Sequence, residues 1–302
     1  MSDPLDAAAP ATNLLADVQG AQAGHLYVVA TPIGNLGDLA PRALAVLRSV
    51  DRICAEDTRT SGQLLAHFGV AKPLTALHEH NESGIVGGLV EQLRAGRSLA
   101  LVSDAGTPLI SDPGFVLVRA AREAGVPVIA IPGPCAAVTA LSIAGIATDA
   151  FRFAGFLPSK SSARRERLRE LGASPDTVIV YESSHRIADC LDDLVAVLGP
   201  ARRVCLAREL TKRFEQSITL PAAELSAWLL ADANRVRGEF VLVIEGAPPA
   251  DAGRAEHERL LRVLLRELSP SKAAKVAAEL SGGRKSELYA LAMQLGGSEG
   301  VE

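Results

Sequence analysis

Six consecutive residues near the middle of the chain, Tyr181-Glu-Ser-Ser-His-Arg186, combine a phenol, a carboxylate, two hydroxyl groups, an imidazole and a guanidinium. They follow an apolar run that ends at Val180, so they are expected at the end of a strand. Because so many polar groups are costly to bury in a core, a functional role is favoured, with His185 as a candidate proton acceptor. The rival interpretation is Ser-His-Asp hydrolysis, but no predicted strand leads into the Gly-x-Ser-x-Gly turn of such hydrolases.

A second polar loop, Ser103 to Gly114, follows the apolar run Ser98 to Val102 and is dense in Gly, Pro, Asp and Ser. Open α/β sheets bind ligands beyond the carboxyl ends of their strands, where this loop is expected to lie. Asp104 can accept hydrogen bonds there from a ribose or an amino group. Asp112 precedes Pro113 and is predicted to cap the next helix.

Two further loops follow apolar runs. Glu56-Asp-Thr-Arg-Thr60 offers two carboxylates and a guanidinium, which either hold a polar substrate or pair with one another. Thr31 to Asp38 contains two glycines, so it either lets a ligand approach the backbone closely or forms a tight turn. The loop lacks both the dinucleotide pattern Gly-x-Gly-x-x-Gly and the phosphate-binding pattern that ends in Gly-Lys-Ser/Thr.

Basic residues are concentrated in two segments. Ser159 to Arg169 carries five basic residues among eleven, and they either contact phosphates or form a solvated helix face. Residues 254 to 285 contain eight Lys or Arg against four Glu, although the whole chain has a formal net charge of −4. Local basic surfaces therefore permit nucleic-acid binding by an acidic protein.

These loops require a scaffold of alternating strands and helices. Up to residue 131 the sequence predicts a parallel, doubly wound sheet, from strands at Leu26–Ala30, Arg52–Ala55, Ser98–Val102 and Val126–Ile131 and helices at Pro41–Val50 and Phe115–Glu123. Pro132-Gly-Pro134 interrupts this pattern and marks a domain boundary. A helix follows at Cys135–Gly145, and then a second α/β unit with strands at Phe151–Phe156, Thr177–Tyr181, Arg203–Ala207, Gln216–Leu220 and Glu239–Ile244 and helices at Arg164–Leu171, Ile187–Leu198 and Ala222–Ala231.

Composition narrows the class of protein. With 48% hydrophobic and 22% charged residues among 302, the chain is neither collagen-like, extensively disordered nor a disulfide scaffold. Its four cysteines form no Cys-x-x-Cys pair and are predicted to be buried free thiols. No apolar run approaches the ~20 residues that span a bilayer, and residues 1–23 lack the basic start of a secretory signal. We expect a cytoplasmic enzyme without a membrane segment.

Taken together, several segments resemble the ribosomal RNA small-subunit methyltransferase I family. The resemblance extends from about Gly24 to Leu295, and those enzymes belong to the tetrapyrrole methylase-like superfamily, the class III methyltransferases. It is carried by His25–Asp38, Ala55–Arg59, Leu101–Ile110, Pro132–Ala137, Tyr181–Arg186, Ala207–Lys212 and Arg237–Gly246.

The resemblance implies transfer of a methyl group from S-adenosylmethionine to the ribose 2′-hydroxyl of a cytidine in 16S ribosomal RNA, within the small ribosomal subunit and by a homodimer. The implied fold is α/β, with two α/β domains of the tetrapyrrole methylase type, a cofactor cleft between them and a small C-terminal helical appendage. The expected boundaries are a disordered tail at 1–23, α/β domains at 24–133 and 134–247, and a basic three-helix appendage at 254–296.

The same resemblance implies the cofactor contacts, whereas the substrate and catalytic candidates follow from the chemistry of the residues. The expected cofactor contacts are Ile33, Asp104, Ala105, Gly106, Cys135, Ala136 and Tyr181. The expected substrate contacts are Asp57, Arg59, Arg164, Arg165 and Arg167. The candidates for catalysis are Glu182, His185 and Arg186, followed by Lys212, and the sequence does not decide which of them accepts the proton. The reaction needs no metal, and His78 and His80 are expected to contact substrate or solvent.

Two alternatives stay open. A tetrapyrrole methyltransferase of the same superfamily would need a wide apolar trough, and the first loop, Thr31 to Asp38, lacks the glycine-rich form found in those relatives. A non-catalytic RNA-binding protein would bind through its three terminal helices and leave the α/β cleft without activity.

Overall fold

A computed structural model describes residues 20–248 and 252–297. The described residues form two compact units. The first unit contains residues up to Leu171 together with Thr177–Glu245, and the second contains Gly172–Asp176 together with residues from Gly246 onward. Most of the predicted disordered tail, residues 1–19, lies outside the described residues.

The first sheet has five parallel strands, β1 (Leu26–Val29), β2 (Arg52–Ala55), β3 (Leu74–Ala76), β4 (Leu99–Val102) and β5 (Val128–Ile131). Their spatial order is β3-β2-β4-β1-β5. The connecting helices are α1 (Pro41–Ser49), α2 (Thr58–His67), α3 (Glu82–Arg94) and α4 (Phe115–Glu123). The predicted parallel, doubly wound sheet is confirmed.

Both faces of this sheet are buried, which explains the continuous apolar runs of its strands. On one face, Val29 and Ile53 pack with Leu47 of α1. On the other face, Leu26, Leu99 and Leu101 pack with residues of α3 and α4. With both faces covered, only the loops at the strand ends can contact a ligand.

The second sheet is mixed. Its strands are β6 (Phe151–Phe156), β7 (Thr177–Ser183), β8 (Arg203–Arg208), β9 (Gln216–Pro221) and β10 (Glu239–Ile244), in the order β6-β7-β10-β8-β9. Only the pair of β6 and β7 is parallel. The neighbouring helices are α5 (Ala136–Ile143), α6 (Ser161–Gly172), α7 (Ile187–Leu198) and α8 (Ala222–Leu230). The strands and helices predicted between Phe151 and Ile244 are confirmed.

Sequence patterns did not reveal the elements between residues 58 and 94. Helix α2 begins immediately after Asp57, whose carboxylate accepts a hydrogen bond from the Arg59 backbone N–H at 2.8 Å. Strand β3 has three residues, too few for a periodic signal, and α3 contains three glycines, which weaken a helical pattern. The predicted cap at Asp112 is wrong, because the residue that precedes α4 is Gly114, with φ of 122° and no side-chain cap.

The second unit contains α9 (Ala252–Leu264), α10 (Pro270–Ser281) and α11 (Lys285–Gly297). Its core is formed by small and medium side chains, which let helix backbones approach closely. They are Leu261, Ala273, Ala274, Ala277, Leu288 and Ala292. Gly282, with φ of 72°, ends α10 in the left-handed conformation. Across the described ranges, no helix combines the length and apolar character that a membrane crossing requires.

All four cysteines are free, as predicted, but the predicted burial is confirmed for only three of them. Cys54, Cys190 and Cys205 are buried, and Cys135 is partly buried. Burial raises the pKa of the Cys54 thiol to about 12. Burial also raises the pKa of the Cys190 and Cys205 thiols, so the three buried thiols behave as small apolar side chains at neutral pH.

A buried ion cluster joins α6 to α7. Arg164 is 3% exposed and donates to the Asp193 carboxylate at 2.7 Å, and Arg165 donates to the same carboxylate at 2.6 Å. Burial acts against the Asp193 charge, but hydrogen bonds from Arg165, Ser161 and Arg164 outweigh it and lower the pKa. The cluster therefore stabilises the fold above the ordinary carboxyl pKa, and this contribution is lost as the pH falls through the lowered value.

We predict that Asp193→Ala lowers the free energy of unfolding by about 3–5 kcal/mol, because Arg164 stays buried without a counter-charge. Urea unfolding at neutral pH measures this loss. The control is Glu123→Ala, which removes an exposed pair with Arg119 and costs about 0.5 kcal/mol or less. Equal unfolding midpoints for the two variants would contradict a stabilising role for the buried cluster.

Candidate active site

The loops that follow β1 and β4 are joined by their backbones. Thr31 N–H donates to Gly106 O at 2.9 Å, and Gly106 N–H donates to Thr31 O at 3.1 Å. The Thr31 hydroxyl also donates to Ser103 O at 3.2 Å. Gly106 has φ of 85°, and a Cβ there would lie 3.1 Å from Ile33 Cγ2. Only glycine fits this close approach without strain, so the two loops form one continuous surface.

The second sheet supplies an aromatic group opposite this surface. The Tyr181 hydroxyl accepts a hydrogen bond from the Ala137 N–H at 3.1 Å, at the start of α5. Its ring meets those of Phe153 and Phe156 edge-on, with centroids 4.9 and 5.7 Å apart. Burial raises the pKa of Tyr181 well above its usual value, so the phenol keeps its proton at neutral pH.

Together these groups enclose a cavity of about 410 Å³. The Thr107 hydroxyl donates to Pro134 O at 2.9 Å and so links the loop after β4 to the segment before α5. Both sheets contribute to the lining, through the loop after β1, the loop after β4, the start of α5, the end of β7 and the start of β10. The site thus lies beyond the carboxyl ends of β1 and β4.

An ion pair fixes the end of β7 beside the cavity. Glu182 lines the cavity but is only 2% exposed, and its carboxylate accepts from Ser183 N–H at 2.8 Å and from the Arg186 guanidinium at 3.1 Å. Arg186 also donates to the carbonyl oxygens of Leu157 and Pro158. Because both oxygens of Glu182 are engaged, the pair is suited to positioning the turn at 182–186.

Lys212 is held by two carboxylates. Its ammonium group donates to Glu239 at 2.8 Å and to Glu209 at 2.9 Å. Burial alone would lower the pKa of Lys212, but the hydrogen bonds to Glu239 and Glu209 outweigh it and raise the pKa. Lys212 is therefore charged at neutral pH and cannot accept a proton there.

Comparison with known proteins identifies the chain's relatives. A model described as tetrapyrrole (corrin/porphyrin) methylases matches residues 25–226, and one described as the RsmI C-terminal HTH domain matches residues 251–296. A protein of Xylella fastidiosa (strain Temecula1 / ATCC 700964) named ribosomal RNA small subunit methyltransferase I is 54% identical over 88% of this chain and 98% of its own length. The chain belongs to the ribosomal RNA small subunit methyltransferase I family.

A second member of the methyltransferase I family, from Escherichia coli O157:H7, is 53% identical over 90% of this chain and 95% of its own length. Solved structures share the fold at lower identity. Uroporphyrin-III C-methyltransferase of Thermus thermophilus is 21% identical, with a TM-score of 0.52 over 74% of this chain and 94% of that one. A structure of that enzyme complexed with S-adenyl homocysteine is 18% identical, with a TM-score of 0.50 over 73% of this chain and 97% of that one.

All but one of the cofactor contacts expected from the family resemblance lie at the cavity. Six of them line it: Ile33, Ala105, Gly106, Cys135, Ala136 and Tyr181. Asp104 is exposed and outside the lining, and its carboxylate accepts from the Asp57 backbone N–H at 3.1 Å. Asp104 therefore connects the loop after β4 to the start of α2.

The remaining predicted site residues are more dispersed. His185 is exposed and does not line the cavity. Asp57 and Arg59 pair with each other at 2.9 Å, and the Arg59 side chain is 88% exposed. Of the predicted RNA contacts on α6, Arg164 is buried against Asp193, whereas Arg165 is exposed and Arg167 pairs with Glu170 at 2.8 Å. Because Arg164 is buried in an ion pair with Asp193, it is not at the surface to contact RNA.

Sequence reasoning missed two carboxylates of the lining. Asp112 is half-buried there. Burial and the nearby negative charge of Asp104 raise the pKa of Asp112, and they outweigh a hydrogen bond from Ser103 that lowers it. Glu239 begins β10 and is paired with Lys212. Asp112 lies in the polar loop Ser103–Gly114 and Glu239 in the segment Arg237–Gly246, but no sequence pattern indicates that the two face one cavity. The described residues contain no group of three or more His, Cys, Asp or Glu placed to hold a metal.

We predict that Gly34→Ala lowers the free energy of unfolding by about 1–3 kcal/mol, because its Cβ would overlap Lys212 Cγ and lie 3.0 Å from the Thr211 hydroxyl. Chemical denaturation measures the change. The control is Gly87→Ala on α3, where a Cβ meets nothing within 4 Å, and there alanine stabilises a helix by about 0.5–1 kcal/mol. Stabilisation by Gly34→Ala would show that the loops after β1 and β8 do not pack against each other.

Proposed function

We propose that the chain transfers a methyl group from S-adenosylmethionine to the ribose 2′-hydroxyl of a cytidine in 16S ribosomal RNA, within the small ribosomal subunit. The observation that supports this most is the cavity at the carboxyl edge of the first sheet, lined from both sheets in a chain of the methyltransferase I family. Relatives with more than half of their residues identical carry an RNA-methylating name. The family model that matches residues 25–226 is described as tetrapyrrole methylases, but the two uroporphyrin-III C-methyltransferase structures with this fold are only 21% and 18% identical. A tetrapyrrole substrate is therefore the weaker alternative.

The cavity suits S-adenosylmethionine. Its volume of about 410 Å³ lies within the range of about 300–1,000 Å³ typical of small-molecule sites. Ile33, Cys135 and Ala136 offer apolar contact, Gly106 leaves its surface open, and the Tyr181 ring forms one side. When bound, S-adenosylmethionine supplies an electrophilic methyl group on a positively charged sulfur. In this proposal Asp104 acts from outside, by fixing the loop that carries Ala105 and Gly106.

Positioning of the ribose oxygen is the main task of the protein, and removal of the hydroxyl proton is the second. Asp112 is the carboxylate best suited to accept that proton, because it lines the cavity, is half-buried and has a raised pKa. Glu182 has both oxygens engaged, so we assign Glu182 and Arg186 to positioning of the cavity edge. His185 stays the second candidate proton acceptor, and Lys212 positions the start of β10 by holding Glu239 and Glu209.

The RNA partner and the dimer are also proposals. Arg165 and Arg59 are exposed, and although they pair with Asp193 and Asp57, we propose that their remaining N–H groups contact phosphates and orient the nucleotide. Arg167 lies nearby on α6. The basic helices α9 to α11 match a domain described as HTH, a fold used to contact nucleic acid. Large apolar side chains at Val138, Ile143 and Phe156 are exposed, which supports a homodimer that covers them.

We predict that Ala136→Trp lowers the affinity for S-adenosylmethionine at least about tenfold, because the indole would fill the cavity that Ala136 lines. Calorimetry with the purified full chain measures the affinity. The matched control is Ala66→Trp on α2, where the side chain is exposed and outside the lining, and its affinity stays at the wild-type value. Equal affinity for both variants would move the cofactor away from this cavity.

Methyl transfer itself is tested with labelled S-adenosylmethionine and small ribosomal subunits or 16S RNA that lack the modification. We expect label in RNA, at a single cytidine that becomes resistant to alkaline cleavage because its 2′-oxygen carries the methyl group. Label on a base, or none in RNA, would overturn the proposed reaction.

We predict that Asp112→Asn lowers kcat by about 10²–10⁴-fold with little change in KM for RNA, because an amide cannot accept the proton. In the wild type, kcat falls as the pH drops through the raised pKa of Asp112, since the protonated carboxyl has no vacant position for the proton. The variant lacks this dependence on pH. Asp149→Asn, at an exposed carboxylate outside the lining, keeps both kcat and the pH profile.

A further inference from the structure

A second cavity of about 490 Å³ lies beside the first. It is enclosed by the segment between β8 and β9, residues 209–215, and the segment before β10, residues 232–238. Gly238 lines both cavities, so the two are neighbours. No step of the proposed reaction uses the second cavity.

One buried guanidinium holds the two segments together. Arg208 is 5% exposed and donates to the carbonyl oxygens of Phe214 at 3.1 Å, Asn234 at 2.9 Å and Arg237 at 2.8 Å. It also donates to the Gln216 side chain at 3.0 Å. Burial of an arginine is costly unless its donors are satisfied, and here they are satisfied by the backbone of both segments. The cavity is therefore preformed rather than a chance gap between loops.

The backbone of the first segment is tightly turned. Glu209 and Thr211 have φ values of 50° and 65°, a conformation that costs energy for residues other than glycine. Phe214 follows this turn in the same segment, and its side chain is 65% exposed. The Arg213 guanidinium lies over the Phe214 ring, 5.6 Å from its centroid. An exposed aromatic ring next to an arginine is the pair that unpaired nucleotides use for stacking and for phosphate contact.

Charges around this cavity favour a nucleotide over a simple anion or an apolar ligand. Glu209 is paired with Lys212, Glu215 accepts from Thr211 N–H at 2.8 Å, and Asp232 accepts from Asn234 N–H at 2.8 Å. By contrast, no hydrogen bond or ion pair reaches the side chains of Arg213 and Arg237 from the described residues. Arg213 and Arg237 therefore keep their donors for a phosphate, whereas Glu215 and Asp232 remain negatively charged and offer lone pairs to the amino groups of a base.

We propose that this second cavity receives an unpaired nucleotide of the RNA strand next to the nucleotide that is methylated, with its base stacked on Phe214 and its phosphate at Arg213 and Arg237. The inference rests on the proposed function, since it takes RNA as the substrate. It narrows the substrate class to single-stranded or unpaired RNA, because a base inside a helix is stacked on both sides and cannot enter a cavity. Stacking on Phe214 would bind any base and so give affinity that depends little on sequence. Because Gly238 lines both cavities, a nucleotide bound in the second cavity would place its neighbour at the first.

The first test measures binding of a fluorescent single-stranded ribo-oligonucleotide to the full chain in the presence of S-adenosylmethionine. Phe214→Ala is expected to weaken binding by about 5–150-fold, and Phe214→Trp to restore it, because any flat aromatic ring supports stacking. The control is Phe115→Ala, at a side chain that is 62% exposed on α4, away from this cavity, which leaves the affinity unchanged. A fully paired RNA duplex is expected to show no difference between wild type and Phe214→Ala.

The second test uses charge. Replacing Arg213 and Arg237 together by Gln should reduce the slope of log affinity against log salt concentration by about 1–2, since each phosphate contact contributes about 0.7 for a single strand. The control double variant replaces Arg42 and Arg119, which are exposed and lie outside this cavity, by Gln, and it keeps the wild-type slope. Unchanged affinity for S-adenosylmethionine verifies that each variant is folded.

Wild-type RNA affinity and salt slope in the Phe214 and arginine variants would overturn this inference. If wild-type protein still methylates RNA in that case, the proposed function stands and only the second cavity loses its assignment. Variants that bind free RNA normally but fail to methylate the assembled subunit would indicate a ribosomal protein as the occupant, which also contradicts the inference. Absence of methyl transfer by the wild type would instead remove the proposed function itself.

Discussion

The candidate site depends on the backbone pairing between Thr31 and Gly106. Two hydrogen bonds join the loops that follow neighbouring parallel strands, and glycine makes the approach possible because its φ of 85° and lack of a Cβ avoid the Ile33 side chain. These loops bring together residues that are more than seventy positions apart in sequence. Without this pairing, the lining from the first sheet would consist of two independent loops with no fixed shape.

The second sheet completes the site through different interactions. Tyr181 fixes the start of α5 through the Ala137 N–H, Glu182 and Arg186 fix the turn after β7, and Lys212 ties two carboxylates at the start of β10 and the end of β8. Each of these residues holds a backbone segment beside a cavity rather than projecting a free reactive group into it. A methyl donor that is already electrophilic needs alignment more than activation, so a site built mainly for positioning fits the proposed chemistry.

The two cavities offer different interactions to a ligand. The first is lined largely by small and apolar groups at strand ends, where shape and backbone contacts decide what binds. The second presents one exposed ring and two available guanidinium groups on a framework held by Arg208. Because Gly238 belongs to both linings, occupation of one cavity can set the position of a chain that continues into the other.

The sequence determined most of the strands, because burial on both faces of a parallel sheet leaves continuous apolar runs, and it located the polar loops that follow them. It also identified six residues that line the first cavity, through the resemblance carried by those loops. It did not reveal β3 or α3, which are respectively too short and too rich in glycine to give a periodic signal. Which polar groups are available was decided only by the tertiary structure. Arg164 is engaged by Asp193 on another helix, whereas Asp112 faces the cavity, because partners distant in sequence are chosen by packing and leave no local pattern. Glu182 is engaged by Arg186 only four residues away, but the motif alone does not show that the two side chains turn toward each other.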